Sequence, residues 1–194
     1  MKTSADRYYR DLKAAMDGIS VSGTGIAATG AGAGVERAIR LIRRQAGRGG
    51  SLYFIGNGAS ASIASHQAVD FWKGTGIPAT AFNDAALLTC ISNDFGYERV
   101  FEKPLELFLK TKDVLIAISS SGSSPNILRA SVLARKKRSV IITLSGFRPG
   151  NRLRKCGDLN FYVPAVSYGL VEVIHHSILH CILDTMVKQG RKRA

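Results

Sequence analysis

The chain has 194 residues, of which 45% are hydrophobic and 21% charged, enough apolar material for one domain with its own core and too much for a disordered chain. No unbroken apolar run approaches the roughly 18 residues of a membrane span, and the charged start MKTSADRYYRDLKAAMDG lacks the apolar stretch of a signal peptide. The 27 Lys and Arg against 14 Asp and Glu leave a net charge of +13, which favours anionic partners without choosing between a small phosphate and a polyanion.

Residues 4–18 predict a helix, with Tyr8, Leu12 and Met16 four apart on one face. The Gly/Ala-rich stretch 20–34, SVSGTGIAATGAGAG, has neither helical nor strand periodicity and is expected to be a flexible connection or a loop folded over the body. A second helix is expected from about Val35 to Ala46. Beyond it, short apolar runs at 52–55, 79–82, 114–118, 140–144 and 159–163 alternate with helical stretches at 59–73, 84–92, 98–110, 125–137, 149–155 and 168–189. That alternation predicts an α/β fold, a parallel sheet covered by helices on both faces. Residues 1–50 then form N-terminal helices packed on the body, and 51–194 form the main domain.

Cys90, Cys156 and Cys181 are too far apart for a disulfide framework or a thiolate zinc site. They read as small hydrophobes in a reducing, cytoplasmic setting. The arginines are dispersed over 37–48, 135–138, 148–154 and the tail at 191–193. No zinc-finger spacing, heptad or aromatic RNA-binding motif accompanies them, so they read as a solvated face and nucleic acid is not expected as a partner.

In such sheets ligands bind beyond the carboxyl ends of the strands. The first strand runs into Gly56-Asn57-Gly58-Ala59-Ser60, a turn whose following helix start suits an anion. It has neither the GxGxxG spacing of a dinucleotide fold nor the lysine of a P-loop, so no nucleotide cofactor is expected. The third strand ends in Ser119-Ser120-Ser121-Gly122-Ser123-Ser124-Pro125. Ser124 suits a helix cap and Pro125 the first helical position, which makes the segment an uncharged cradle for a phosphate. A third polar cluster, Ser92 to Tyr97, reads as a turn whose Asn93 and Asp94 can bond sugar hydroxyls.

All four histidines fall on two helices. His66 and Asp70 are neighbours on one face of the first, while Glu172, His176 and His180 step by four along the last, with His175 turned aside. If the faces converge, they can transfer protons between a carboxylate and an imidazole, or hold a divalent metal, zinc being the natural ion.

GNGASASIASHQAVDFW, ISNDFGY, DVLIAISSSGSSPNIL, VIITLSG and the Glu172–His180 helix resemble the sugar isomerase (SIS) domain, and within it the phosphoheptose isomerase branch. The resemblance implies a flavodoxin-like three-layer α/β/α sandwich with a five-stranded parallel sheet, assembled as a homotetramer with sites between subunits and no membrane association. It implies an intramolecular oxidoreductase interconverting sedoheptulose 7-phosphate and D-glycero-D-manno-heptose 7-phosphate through an enediol. By position, Ser60, Ser119, Ser121 and Ser124 would hold the phosphate, Ser120 would lie beside the substrate, and Asn57, Asp94 and Glu172 would contact it. Asp70 and His180 would be catalytic, and His66, Asp70, Glu172 and His180 would be the zinc ligands. Asp70 stands where the family has glutamate and Glu172 where it has glutamine; Gly74-Thr75-Gly76 replaces a region that often holds an arginine. The alternative is a non-catalytic SIS module, either a replication-initiator adaptor or a sugar-phosphate sensor.

Overall fold

The computed structural model describes residues 3–191, without the side chains of Ile26 and Arg191; the rest of the basic tail lies outside them. Helix α1 (Ser4–Asp17) opens with a capping box, in which Thr3 and Asp6 satisfy each other's backbone N–H groups. A hairpin follows, β1 (Ser20–Gly23) and β2 (Ile26–Gly30), then α2 (Ala31–Ala46). The body alternates β3 (Leu52–Gly56), α3 (Ala59–Thr75), β4 (Ala79–Ala81), α4 (Ala85–Phe95), α5 (Glu102–Phe108), β5 (Val114–Ser119), α6 (Pro125–Lys136), β6 (Val140–Ser145), β7 (Leu159–Tyr162) and α7 (Tyr168–Arg191).

The strands form one sheet in the order β2-β1-β7-β6-β5-β3-β4. Its five body strands are parallel, and β1 pairs antiparallel with both β7 and β2. Side chains alternate between faces with the period of two expected of strands. Val114, Ile116 and Ile118 enter a core shared with α2, α3 and α7, whereas Leu115 and Ala117 enter a second core shared with α5 and α6. Burial on both faces is why β5 and β6 read as unbroken apolar runs.

The sheet therefore has seven strands rather than five, because the stretch expected to be a flexible connection forms the hairpin. Its turn is permitted by Gly25 at φ +69°. Val21 is completely buried beneath α2, and a Cβ on Gly34 of that helix would stand 2.5 Å from the Val21 side chain. The small residues thus let a helix lie close on a strand. Two predicted helices also differ. The stretch 98–110 divides into a 3-10 turn at Tyr97–Arg99 and α5, whose first turn takes Pro104, a residue no helix interior accepts. The stretch 149–155 keeps only a 3-10 turn at Leu153–Lys155, ordered by Asn151, which accepts a hydrogen bond from the Arg154 N–H.

Among the described residues, α7 is the one helix with the length and mean hydropathy of a membrane span. Here it lines the first core with Val171, Ile174, Ile178, Leu179, Ile182 and Leu183. Between β3 and β5 the chain order reverses direction across the sheet: β4 lies on one side of β3, and β5, β6 and β7 follow on the other. The loops leaving the carboxyl ends of β3 and β5 part there and open a crevice.

Candidate active site

The crevice holds a small cavity of about 120 Å³, lined by Asn57, Ser60, Ile118, Ser119, Ser120, Ser121, Ser124, Tyr168 and Glu172. Two helix starts border it. Ser60 lies in the first turn of α3, which follows Gly58 at φ +55°, and Ser124 is the N-cap of α6 ahead of Pro125. The serines are held in place: the Ser119 and Ser124 hydroxyls are 3.3 Å apart, and Ser119 Oγ accepts the Gly122 N–H at 3.2 Å. Ser120 has a buried hydroxyl with no hydrogen-bond partner among the described residues. A buried orphan hydroxyl lining a cavity is what a bound anion satisfies. Glu172 is the only charged side chain of the lining, and burial pushes its carboxyl pKa up. An anion here would be met by hydroxyls and by the positive ends of two helices rather than by cations.

The two histidine-bearing faces also converge, and they do so within one chain because α3 packs against α7. His66 Nε2 lies 2.9 Å from Asp70 Oδ2, one turn along α3. The His66 ring centroid is 4.9 Å from that of His176 and 5.4 Å from that of His180, with 4.5 Å between the last two. One nitrogen from each of these three rings falls within 4.8 Å of the others. The His176 pKa is lowered by partial burial, and then by the His180 and His66 rings beside it, against an opposing pull from Asp70, so His176 favours the neutral imidazole with a lone pair to share. His175 points the other way, fully buried, its pKa pushed down to about 4 by loss of solvent.

The expected site residues thus divide. Asn57, Ser60, Ser119, Ser120, Ser121, Ser124 and Glu172 share the cavity, and His66, Asp70 and His180 meet at the cluster. Glu172, expected among the zinc ligands as well, is absent from the group of close metal-capable atoms, which His176 joins instead. Asp94 lies exposed in the last turn of α4, where its carboxylate accepts from Asn93 Nδ2. From that segment it is Tyr97 that reaches the crevice, its hydroxyl donating to Asn57 Oδ1 at 3.2 Å. Asn126 was not foreseen: it is buried and exchanges hydrogen bonds with Asn57. Its place after a helix-starting proline was the available signal.

The donor set suits a divalent transition metal. Three close, mostly half-buried imidazoles with a carboxylate on one of them are ligands of the type zinc takes.

The SIS domain family matches residues 25–146. The chain is 34% identical over 164 residues to the phosphoheptose isomerase of Proteus mirabilis (strain HI4320), covering 81% of this chain and 85% of that one. Its fold superposes on phosphoheptose isomerase GmhA from Neisseria gonorrhoeae with a TM-score of 0.81 at 26% identity, over 94% and 96% of the two chains. A phosphoheptose isomerase from Francisella tularensis, at 24% identity and a TM-score of 0.76 over 97% and 100%, shares the fold. With its crevice at the switch point and a family match that spans β3, α3 and β5 with its serine loop, the chain belongs to the SIS domain family, where it is similar to the phosphoheptose isomerases.

Proposed function

We propose that the chain is a sugar-phosphate isomerase that interconverts an aldose and a ketose, sedoheptulose 7-phosphate and D-glycero-D-manno-heptose 7-phosphate being the pair its relatives suggest. The observation that carries this reading is the position of α7, which lines the phosphate-sized cavity with Glu172 and carries His180 eight residues further on. Eight residues of helix span about 12 Å, so one element serves both an anionic end and reacting carbons remote from it. A cavity of 120 Å³ falls well below the roughly 300–1,000 Å³ of a complete small-molecule site. It would take the phosphoryl group, leaving the carbon chain to extend towards the histidines.

In this reading the serines and the two helix starts anchor the phosphate, and that remote binding orients the sugar. One member of the Asp70–His180 pair removes the proton from C2 of the aldose, while the other protonates the oxygen on C1. The first group then gives its proton to C1 of the enediol while the second takes the proton from the oxygen on C2, which leaves the ketone and both groups as they began. A zinc-type ion, held by imidazoles of the cluster, would polarise the carbonyl when bound. Val69, Trp72 and Val173 stand exposed on the two helices that carry the cluster, which supports assembly of copies over this face, as in a homotetramer.

Assay on sedoheptulose 7-phosphate in deuterated water tests the proposal, because an enediol exchanges its carbon-bound proton with solvent. Turnover with deuterium incorporation is expected for the wild type. Asp70→Ala and His180→Ala should each lose about 100-fold or more, the usual contribution of acid–base catalysis. Full activity in both variants would remove the mechanism, and ligand binding without any turnover would favour the sugar-phosphate sensor.

A further inference from the structure

We infer that the metal site of this chain is a three-imidazole centre made by His66, His176 and His180, with Asp70 as the outer carboxylate of His66 and Glu172 left to the phosphate cavity. The inference deepens the proposed isomerase site and rests on it only for the purpose of the ion. With the ion bound, His180 would be its ligand rather than a proton donor, polarising the substrate oxygen would fall to the metal, and Asp70 would move the proton at carbon. The arrangement of side chains argues it independently.

Three observations support this set. First, nitrogens of the three rings lie within 4.8 Å of one another, a group that includes neither carboxylate. Small rotations of three side chains on two packed helices would bring such nitrogens onto one ion, whose Zn–N distances are about 2.0–2.1 Å. Second, Asp70 is already engaged at 2.9 Å by Nε2 of His66. A ring that donates from Nε2 carries its lone pair on Nδ1, and a carboxylate on the far nitrogen is the usual support of a metal-bound histidine. Third, Glu172 lines the cavity with the serines, one turn before His176 and two before His180. One turn is about 5.4 Å along the axis, and His176 is the side chain of α7 that stands between the cavity and His180.

The ligand set has chemical consequences. A site using Asp70 and Glu172 would neutralise a divalent ion with two carboxylates. Three neutral imidazoles leave its full positive charge, and a tetrahedral ion so held keeps one position open. All-nitrogen ligation selects zinc and its late first-row neighbours over magnesium or calcium, which prefer oxygen. The open position would take a water molecule or a substrate oxygen.

The test uses the full-length protein stripped of metal and titrated with cobalt(II), followed by its visible absorption, and with zinc in competition with a chelator. The wild type should bind one ion per chain and develop the absorption of a four-coordinate nitrogen-rich site. His176→Ala should weaken binding by more than about 100-fold, beyond the roughly 10–100-fold expected when Asp70→Asn removes an outer partner. Glu172→Gln should leave both affinity and spectrum as in the wild type. Circular dichroism checks that each variant is folded, and His176→Gln, which keeps the volume and loses the imidazole, serves if the alanine variant is not. Absence of binding in the wild type, unchanged binding in the His176 variants, or loss of the ion in Glu172→Gln would each overturn the assignment. Isomerase activity measured on the same samples is a separate result: its absence would remove the proposed reaction and leave the ligand set standing.

Discussion

Asn57 and Asn126 bind each other through both ends of their amides. Asn57 Nδ2 donates to Asn126 Oδ1 at 3.0 Å, and Asn126 Nδ2 donates to Asn57 Oδ1 at 2.8 Å. The pair ties the loop after β3 to the first turn of α6, so it joins the two halves of the anion cavity across the switch point. Asn126 also takes the Ile127 N–H at 2.9 Å, and Asn57 receives the Tyr97 hydroxyl. Asn126 is a positioning residue here: it is 2% exposed and is not part of the cavity lining.

Asn126→Ala is therefore expected to act on both stability and substrate binding. Removing three bonds of about 1 kcal/mol each should lower the melting temperature by roughly 6–12 °C in a chain of this size. The loops would lose their common anchor, so KM for the sugar phosphate should rise about tenfold, as for the loss of about 1.4 kcal/mol of binding, with a smaller change in kcat. Thermal melts and steady-state kinetics on the same sample check this. A lower melting temperature with KM unchanged would show that the pair supports the fold alone.

Glu172 provides a pH-dependent prediction. Burial raises its carboxyl pKa above the ordinary 4.5, so the folded chain holds this proton more readily than the unfolded one. Its ionised form thus costs stability above the folded pKa, and the cost fades as pH falls through that value. Glu172→Gln should be the more stable protein at pH 7 and lose that advantage as the pH approaches 4.5. The substitution also removes the one negative charge lining the anion cavity. It should bind inorganic phosphate more tightly than the wild type near neutrality, by a margin that narrows on acidification. Calorimetric titrations of both proteins at paired pH values measure that margin, and equal affinities throughout would show that Glu172 faces away from the anion.

The body of the sheet was legible because its strands are buried on both faces. Runs such as Val114–Ser119 and Val140–Ser145 admit few other readings between helical stretches, and their carboxyl ends then locate the serine and glycine loops. The hairpin was not legible. Its strands are four and five residues long and made mostly of small side chains, and β1 is held by pairing with Ser20–Tyr162 and Val21–Phe161 partners, a tertiary cause without a local signal. The metal-capable face was legible only in part. Spacing by four places Glu172, His176 and His180 along one stripe, but which of them meets α3 depends on how the two helices cross. Asn126 escaped notice for a related reason: its partner is 69 residues away, and its neighbours Ser124 and Pro125 already explained the helix start.

Gly34 tests the account of the Gly/Ala-rich segment. In an isolated helix, replacing glycine by alanine gains about 1 kcal/mol. In α2 the added Cβ would stand 2.5 and 2.9 Å from the two methyl carbons of Val21 and 3.0 Å from the Phe161 ring, and Val21 and Phe161 are both fully buried in the first core. Neither side chain is a flexible end that can swing clear, so α2 must move off the hairpin or β1 must shift against β7. Overpacking of this kind costs about 1–3 kcal/mol, which offsets the gain in helix propensity and in most of that range exceeds it. Gly34→Ala should melt no higher than the wild type, and Gly34→Val, with more bulk and a β-branched side chain, several degrees lower. Gly32 is the control: it lies in the same first turns of α2 with nothing within 4 Å of its would-be Cβ, so Gly32→Ala should melt at or above the wild type. If both alanine variants were equally stabilising, the segment would owe its glycines to something other than close packing of α2 on β1.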